Sequence, residues 1–291
     1  MTDGKVIVLR RFDPGAVTTV LCDADGNLFP SEEPAFDASV EVTNRYLARF
    51  GVSIECTAEG LREQTTGKNF RTTAVDLAVK AGVPIDESLA QRHPNAVIAT
   101  RADVIAGRAL TADELEEWVS RERDHVTSYL GSVLRPDDRV LKPLQALGSQ
   151  FGLAAVSSSA AMRLDACFAA TGLDRLIPAA LRFSAEDSLP VPTSKPDPAV
   201  YRLSGQVLGI GPAEAVAVED SVPGVLSAVA AGFVTIGNVM FVPPSEKRAR
   251  ATDLARAGAS AISNSWWAIA DLLQGTQDSV GQVFTAAGAN R

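Results

Sequence analysis

Ala16-Val17-Thr18-Thr19-Val20-Leu21-Cys22-Asp23-Ala24-Asp25-Gly26-Asn27 runs apolar and β-branched until it stops at an acidic turn. Such a run favours a strand, and one without polar alternation is buried on both faces, as in a parallel sheet. Asp23 then stands where the strand ends. In open parallel sheets ligands gather beyond the carboxyl ends of the strands, so the position matters as much as the residue.

Outward from this strand the texture changes twice. Helical patterns cover about 34–50, 70–81 and 112–133; Gly51 and Gly82 close the first two, and Thr111-Ala112-Asp113-Glu114 opens the third with capping-box spacing. Leu115, Trp118, Val119, Val126, Tyr129, Leu130 and Val133 form one stripe on that third helix. From about 150, short apolar runs at 153–156, 181–183, 215–218, 233–236 and 259–262 alternate with helical patterns at 160–171, 198–208, 222–231 and 266–273. The spacing predicts an α/β fold: a Rossmann-like parallel-sheet core interrupted after its first strand by an inserted helical cap domain, since roughly a hundred residues far exceed a loop. The expected core is discontinuous, 1–30 and 138–275, with the cap at 31–137 and a tail at 276–291. Hinges are expected near Phe29–Glu33 and Leu134–Arg139.

Composition narrows the function. A formal charge of −8 over 291 residues argues against general nucleic-acid binding, which needs a basic face. Three scattered cysteines, Cys22, Cys56 and Cys167, make neither a disulfide framework nor a zinc cluster. No apolar run reaches membrane-span length and no signal peptide is apparent, so a cytoplasmic protein without membrane partners is expected, a monomer or a homodimer.

Four segments at strand ends or ahead of helices carry chemistry: Asp23-Ala24-Asp25-Gly26, Ser157-Ser158-Ser159, Ser194-Lys195-Pro196-Asp197 and Glu219-Asp220-Ser221. Carboxylates crowded in this way repel unless a cation sits among them, and a hard oxygen-rich site suits Mg²⁺. With Mg²⁺ and Lys195 offsetting charge, Asp23 can attack phosphorus and Asp25 can protonate the leaving group and later activate water. Ser157 and the backbone N–H groups around 24–26 can hold phosphoryl oxygens, and Gly26 permits the tight turn. An EF-hand loop begins similarly but needs glycine at its sixth position and a preceding helix. Taken singly, each segment is an ordinary turn or helix start; the four in order are not.

In that order the segments resemble the four motifs of the haloacid dehalogenase superfamily, and the helical insert after the first resembles the cap of its phosphoglycolate phosphatase and beta-phosphoglucomutase branch, over about residues 16–273. The resemblance implies that Asp23 is nucleophile and metal ligand, that Asp25 is acid/base and lends its carbonyl to the metal, and that Ser157 and Lys195 hold the phosphoryl group. It further implies Asp220 as a direct ligand of Mg²⁺ and Glu219 as a direct or water-mediated one. The implied partner is a small phosphorylated substrate. Ser158 and Ser159 beside motif two, and Lys68, Asn69 and Arg71 in Thr65–Arg71 of the cap, are expected to touch it.

Two departures bear on function. Asn27 stands where the family usually has threonine or an aliphatic residue, and Ala160 and Ala161 stand where the phosphomutases carry a lysine, with Arg163 the nearest cation. The expected activity is therefore a phosphomonoester hydrolase, with a phosphomutase and a non-catalytic phospho-ligand-binding protein as alternatives. His93 and His125 lack partners at metal spacing, and Trp266 and Trp267 read as core of the last helix.

Overall fold

The computed structural model describes residues 4–53, 55–65 and 70–275. Seven strands, β1 Val6–Val8, β2 Thr19–Cys22, β3 Gly152–Ser157, β4 Arg182–Ser184, β5 Ala215–Glu219, β6 Val234–Asn238 and β7 Ala261–Ser263, form one sheet in the order β1-β7-β6-β5-β2-β3-β4. Every neighbouring pair is parallel except β1 with β7. Cys22 pairs with Ala155 of β3 on one side and with Val218 of β5 on the other, so the ends of β2, β3 and β5 lie side by side.

The chain divides into two compact units, residues through Ser31 with those from Leu134 onward, and Glu32–Val133. The second unit is helical: α1 Glu32–Arg49, α2 Ala58–Thr65, α3 Phe70–Lys80, α4 Arg101–Ile105 and α5 Ala112–Val133. Tyr46 anchors its core, packing edge-on against Phe50, Phe70 and Trp118 while its hydroxyl donates to the Ala74 carbonyl at 2.9 Å. Leu115, Trp118, Val126 and Leu130 of the α5 stripe are buried, whereas Val133 is exposed.

The first unit adds α6 Asp138–Gly148, α7 Ala161–Thr171, α8 Ala199–Leu208, α9 Val222–Ala230, α10 Lys247–Ala257 and α11 Trp266–Leu273 around the sheet. Leu21, Val156, Phe183, Val200, Tyr201 and Phe233 share one fully buried cluster, which seats α8 on the strands whose ends carry the acidic groups.

Several elements differ from expectation. The first core strand begins at Thr19, because Pro14–Ala16 forms a short 3₁₀ turn that Asp13 caps through the Gly15 N–H. β1, where no strand was expected, pairs with β7, and the N–H groups of Leu9 and Arg10 continue the contact onto the Ser260 carbonyl. α6 was not anticipated; it begins at Asp138, Asp137 caps it, and Val140, Leu144 and Leu147 face inward in spite of Pro143. α10 escaped notice because Leu254, its one fully buried side chain, stands among alanines and charged residues.

Candidate active site

Register alone converges the polar groups. Asp23 follows β2, with its N–H on the Val218 carbonyl at 2.9 Å, so it lies level with the ends of β3 and β5. Lys195 reaches in beneath: its Nζ donates to Asp23 Oδ1 at 2.5 Å, to Glu219 Oε1 at 2.7 Å and to the Val156 carbonyl at 2.8 Å. All three ammonium protons are thus assigned, and the side chain is only 5% exposed. Its charge also lies 5.3 Å from the centroid of the Tyr201 ring, whose hydroxyl donates to Glu219 Oε1 at 2.5 Å. Asp23 Oδ2 has no hydrogen-bond partner among the described residues.

Asp25, two residues on, has a separate environment. Ser31 Oγ donates to its Oδ1 at 2.5 Å, Ser159 Oγ to its Oδ2 at 2.6 Å, and Arg163 Nη2 lies 3.3 Å from Oδ1. Burial would raise the Asp25 carboxyl, but Arg163 and the two serines outweigh it and hold it below the ordinary carboxylate value. Asp23 shifts the other way. Burial pushes it up to about 8, Lys195 opposing and Glu219 adding to the rise. For Lys195, burial favours loss of the proton, yet Asp23 and Glu219 keep it well above its usual range.

Asp23, Glu219 and Asp220 each offer an oxygen within 4.8 Å of the others, and all three are buried. Asp23 and Glu219 share the one Lys195 ammonium, and Glu219 Oε2 is buried without a hydrogen-bond partner among the described residues. The donor set therefore fits a hard divalent cation. Two glycines make room for the carboxylates: a Cβ on Gly224 would collide with Glu219 and one on Gly26 with Asp220, and Gly26 also has φ 75°.

Asn27 has a defined task. It is fully buried, and its Nδ2 donates to the carbonyls of Asp23 at 2.9 Å and Val218 at 3.1 Å. Its Oδ1 accepts from Asn238 Nδ2 at 2.8 Å, and its own carbonyl accepts from the Trp266 indole N–H at 3.0 Å. An aliphatic residue at this position would orphan the Asn238 amide and strip the Asp23 carbonyl of its donor. Asn27→Leu is expected to cost about 3 kcal/mol in urea unfolding, and Asn238→Leu in addition to recover part of that, because apolar pairs replace hydrogen-bonded pairs at little cost. Unchanged stability in the single variant would rule this out.

The remaining expected residues are placed as follows. Ser157 Oγ accepts from the Ser159 N–H at 3.0 Å, which leaves its own proton for a ligand. Ser158 Oγ accepts from the Lys195 N–H at 3.0 Å and likewise keeps its own proton, whereas Ser159 Oγ donates to Asp25. The Gly26 N–H, expected for a phosphoryl oxygen, bonds the Phe29 carbonyl instead, because the turn closes on itself. Arg71 belongs to the helical unit and pairs with Glu116 there, Nη2 to Oε2 at 2.6 Å. Lys68 and Asn69 lie outside the described residues. Ser31, Tyr201 and Asn238 escaped sequence reading, in which Arg163 figures only as the cation nearest Ala160 and Ala161.

Comparison with known proteins follows the same lines. The profile of the haloacid dehalogenase-like hydrolases matches residues 17–232. A CBBY-like protein of Arabidopsis thaliana is 50% identical over 46 residues, a stretch covering 16% of this chain and only 14% of that relative. A conserved haloacid dehalogenase-like protein of Agrobacterium tumefaciens superposes with TM-score 0.59 at 23% identity, over 89% of this chain and 99% of the other. A putative beta-phosphoglucomutase from Thermotoga maritima gives 0.60 at 20%, over 90% and 100%. CbbY from Rhodobacter sphaeroides, in complex with xylulose-1,5-bisphosphate, gives 0.58 at 19%, over 86% and 95%. At these identities the structural likeness is one of fold, whereas the profile covers most of the chain and spans Asp23, Asp25, Ser157, Lys195, Glu219 and Asp220: the protein belongs to the haloacid dehalogenase-like hydrolase family.

Proposed function

We propose that this hydrolase cleaves small phosphomonoesters through a phosphoryl group carried on Asp23. The observation that carries the reading is the asymmetry of the Asp23 carboxylate at the end of a central strand: Oδ1 is fixed by Lys195, while Oδ2 has no partner among the described residues. A fixed carboxylate with one free oxygen is a nucleophile already oriented.

On loading of the site, the one proton of the Asp23–Asp25 pair moves from Asp23 to Asp25. Asp23 Oδ2 then attacks phosphorus; the bond from phosphorus to the leaving oxygen breaks, and that oxygen keeps the electron pair of the bond and takes the proton from Asp25. The product alcohol departs, leaving phospho-Asp23 and an Asp25 carboxylate. Asp25 then removes a proton from water, whose oxygen attacks phosphorus and displaces Asp23 as a carboxylate. Inorganic phosphate is released with Asp25 protonated again, which closes the cycle. Ser157 holds a phosphoryl oxygen in both steps, and Lys195 does so by turning one of its three protons from a protein acceptor to the phosphoryl group. Asp23, Asp220, the Asp25 carbonyl and Glu219, directly or through water, would hold Mg²⁺. When bound, the ion supplies charge neutralisation for the phosphoryl oxygens.

Two further observations separate this reading from its alternatives. Ala160 and Ala161 open α7 with apolar side chains, and Arg163 on the same helix is engaged by Asp25, so the segment offers no lysine of the mutase kind. Asn27, the feature that favoured a protein without turnover, is occupied within the fold. The bisphosphate bound by CbbY makes sugar phosphates the first substrates to try.

Phosphate release from sugar phosphates, phosphoglycolate, nucleotides and polyol phosphates, with Mg²⁺ and with a chelator, tests the proposal. Release that falls at least about tenfold on chelation is expected. No release from any member by folded protein would overturn it, and turnover only with a bisphosphate activator and no net release would favour the mutase.

A further inference from the structure

Arg163 is the one cation that forms an ion pair with Asp25 among the described residues, and no motif accounts for it. It sits in the first turn of α7, and the start of that helix is anchored independently of Asp25. The Ala161 N–H donates to Asp187 Oδ2 at 2.6 Å, the Asp187 N–H to Ser184 Oγ at 3.0 Å, and Ser184 Oγ to the Ser159 carbonyl at 2.8 Å. The same short segment therefore delivers Ser159 to Oδ2 and Arg163 to Oδ1 of one carboxylate. The Arg163 side chain is about three-quarters buried, and its Nε is enclosed without a partner. Burying a guanidinium with an unmet donor is costly unless the charge it meets matters.

From this convergence we propose that Arg163, with Ser159, is a positioning residue that aims the Asp25 carboxyl at the leaving oxygen. The assignment rests on the phosphatase reading above and names the device that orients its acid. Ser31 and Arg163 share Oδ1, so without the guanidinium the carboxyl is held by two hydroxyls alone and can turn about its Cβ–Cγ bond. Proton delivery to the leaving oxygen is the event that suffers. Attack by Asp23 on a substrate whose leaving group departs unaided does not need that proton.

The test compares kcat/KM for 4-nitrophenyl phosphate, whose phenolate leaves without a proton, with kcat/KM for the best alkyl phosphomonoester of the panel. This ratio reports events up to loss of the leaving group and is blind to later hydrolysis of phospho-Asp23. Arg163→Ala is expected to lower the alkyl value about 100-fold and the aryl value no more than about threefold, with the alkyl loss in kcat rather than KM. Arg163→Lys should recover part of the alkyl loss, and covers the case in which the alanine variant does not fold. Equal losses on both substrates would make Arg163 a packing residue. A loss confined to KM would make it a contact to substrate, and no loss would leave it without a role. Each of these overturns the proposal. Failure of the wild type on both substrates would instead overturn the phosphatase reading, and this assignment with it.

Discussion

Asp23→Asn is expected to abolish phosphate release, by roughly 10⁴-fold or more, while the protein folds as well as the wild type. The amide matches the carboxylate in shape and can still accept from Lys195 through its oxygen, but it is no nucleophile. The stability readout carries a sign. In metal-free protein the Asp23 carboxyl ionises near its ordinary 3.8 when unfolded and near 8 when folded, so the folded chain binds the extra proton between those values. That contribution is fully present at acid pH and is lost as pH rises through the window. The variant removes it, so the melting temperature of Asp23→Asn should depend less on pH between 4 and 8 than that of the wild type, both in chelator. Retained turnover in the variant would remove Asp23 from the chemistry whatever the melting curves show.

Lys195→Met strikes the same site through its charge. Asp23 and Glu219, the latter fully buried, lose their shared ammonium, and the Val156 carbonyl loses a donor. Removing one partner of a buried pair leaves uncompensated charge, for about 3–5 kcal/mol. Without Lys195 the Asp23 carboxyl rises further still, so the loss in urea unfolding should be larger at pH 8 than at pH 5, where the carboxyls take up protons instead. Mg²⁺ should restore part of it, since a divalent cation supplies the missing charge. Phosphate release should fall by about 10³-fold, as one donor to the transferring group is gone. A variant as stable as wild type at pH 8 would mean that Lys195 does not compensate these carboxylates.

The sequence made the strand ends legible because their chemistry is local: Asp23, Lys195, Glu219 and Asp220 each close or follow a short segment of recognisable type. What it hid was assembled across the sheet. Ser159 and Arg163 meet Asp25 from more than 130 residues away, and Asn238 meets Asn27 from 211. No period or cap encodes such a meeting. Trp266 shows the same limit in milder form: core packing is right for its ring, yet its N–H holds the Asn27 carbonyl. α6 and α10 were missed for different reasons: α6 carries an apolar stripe, Val140, Leu144 and Leu147, but Pro143 sits inside it, and α10 sets a single buried leucine, Leu254, among alanines and charges.

The antiparallel strand β1 contributes nothing to the acidic centre, yet it completes the sheet. Without it, β7 would present an open row of amides and carbonyls next to the apolar Ile262. At the other margin β4 is three residues long and begins with Arg182. Open margins invite strand addition from other molecules, and a short, charged or covered one does not. The N-terminal segment therefore moves the margin of the sheet from β7 to a strand of three residues, which offers few free amides and carbonyls to another chain.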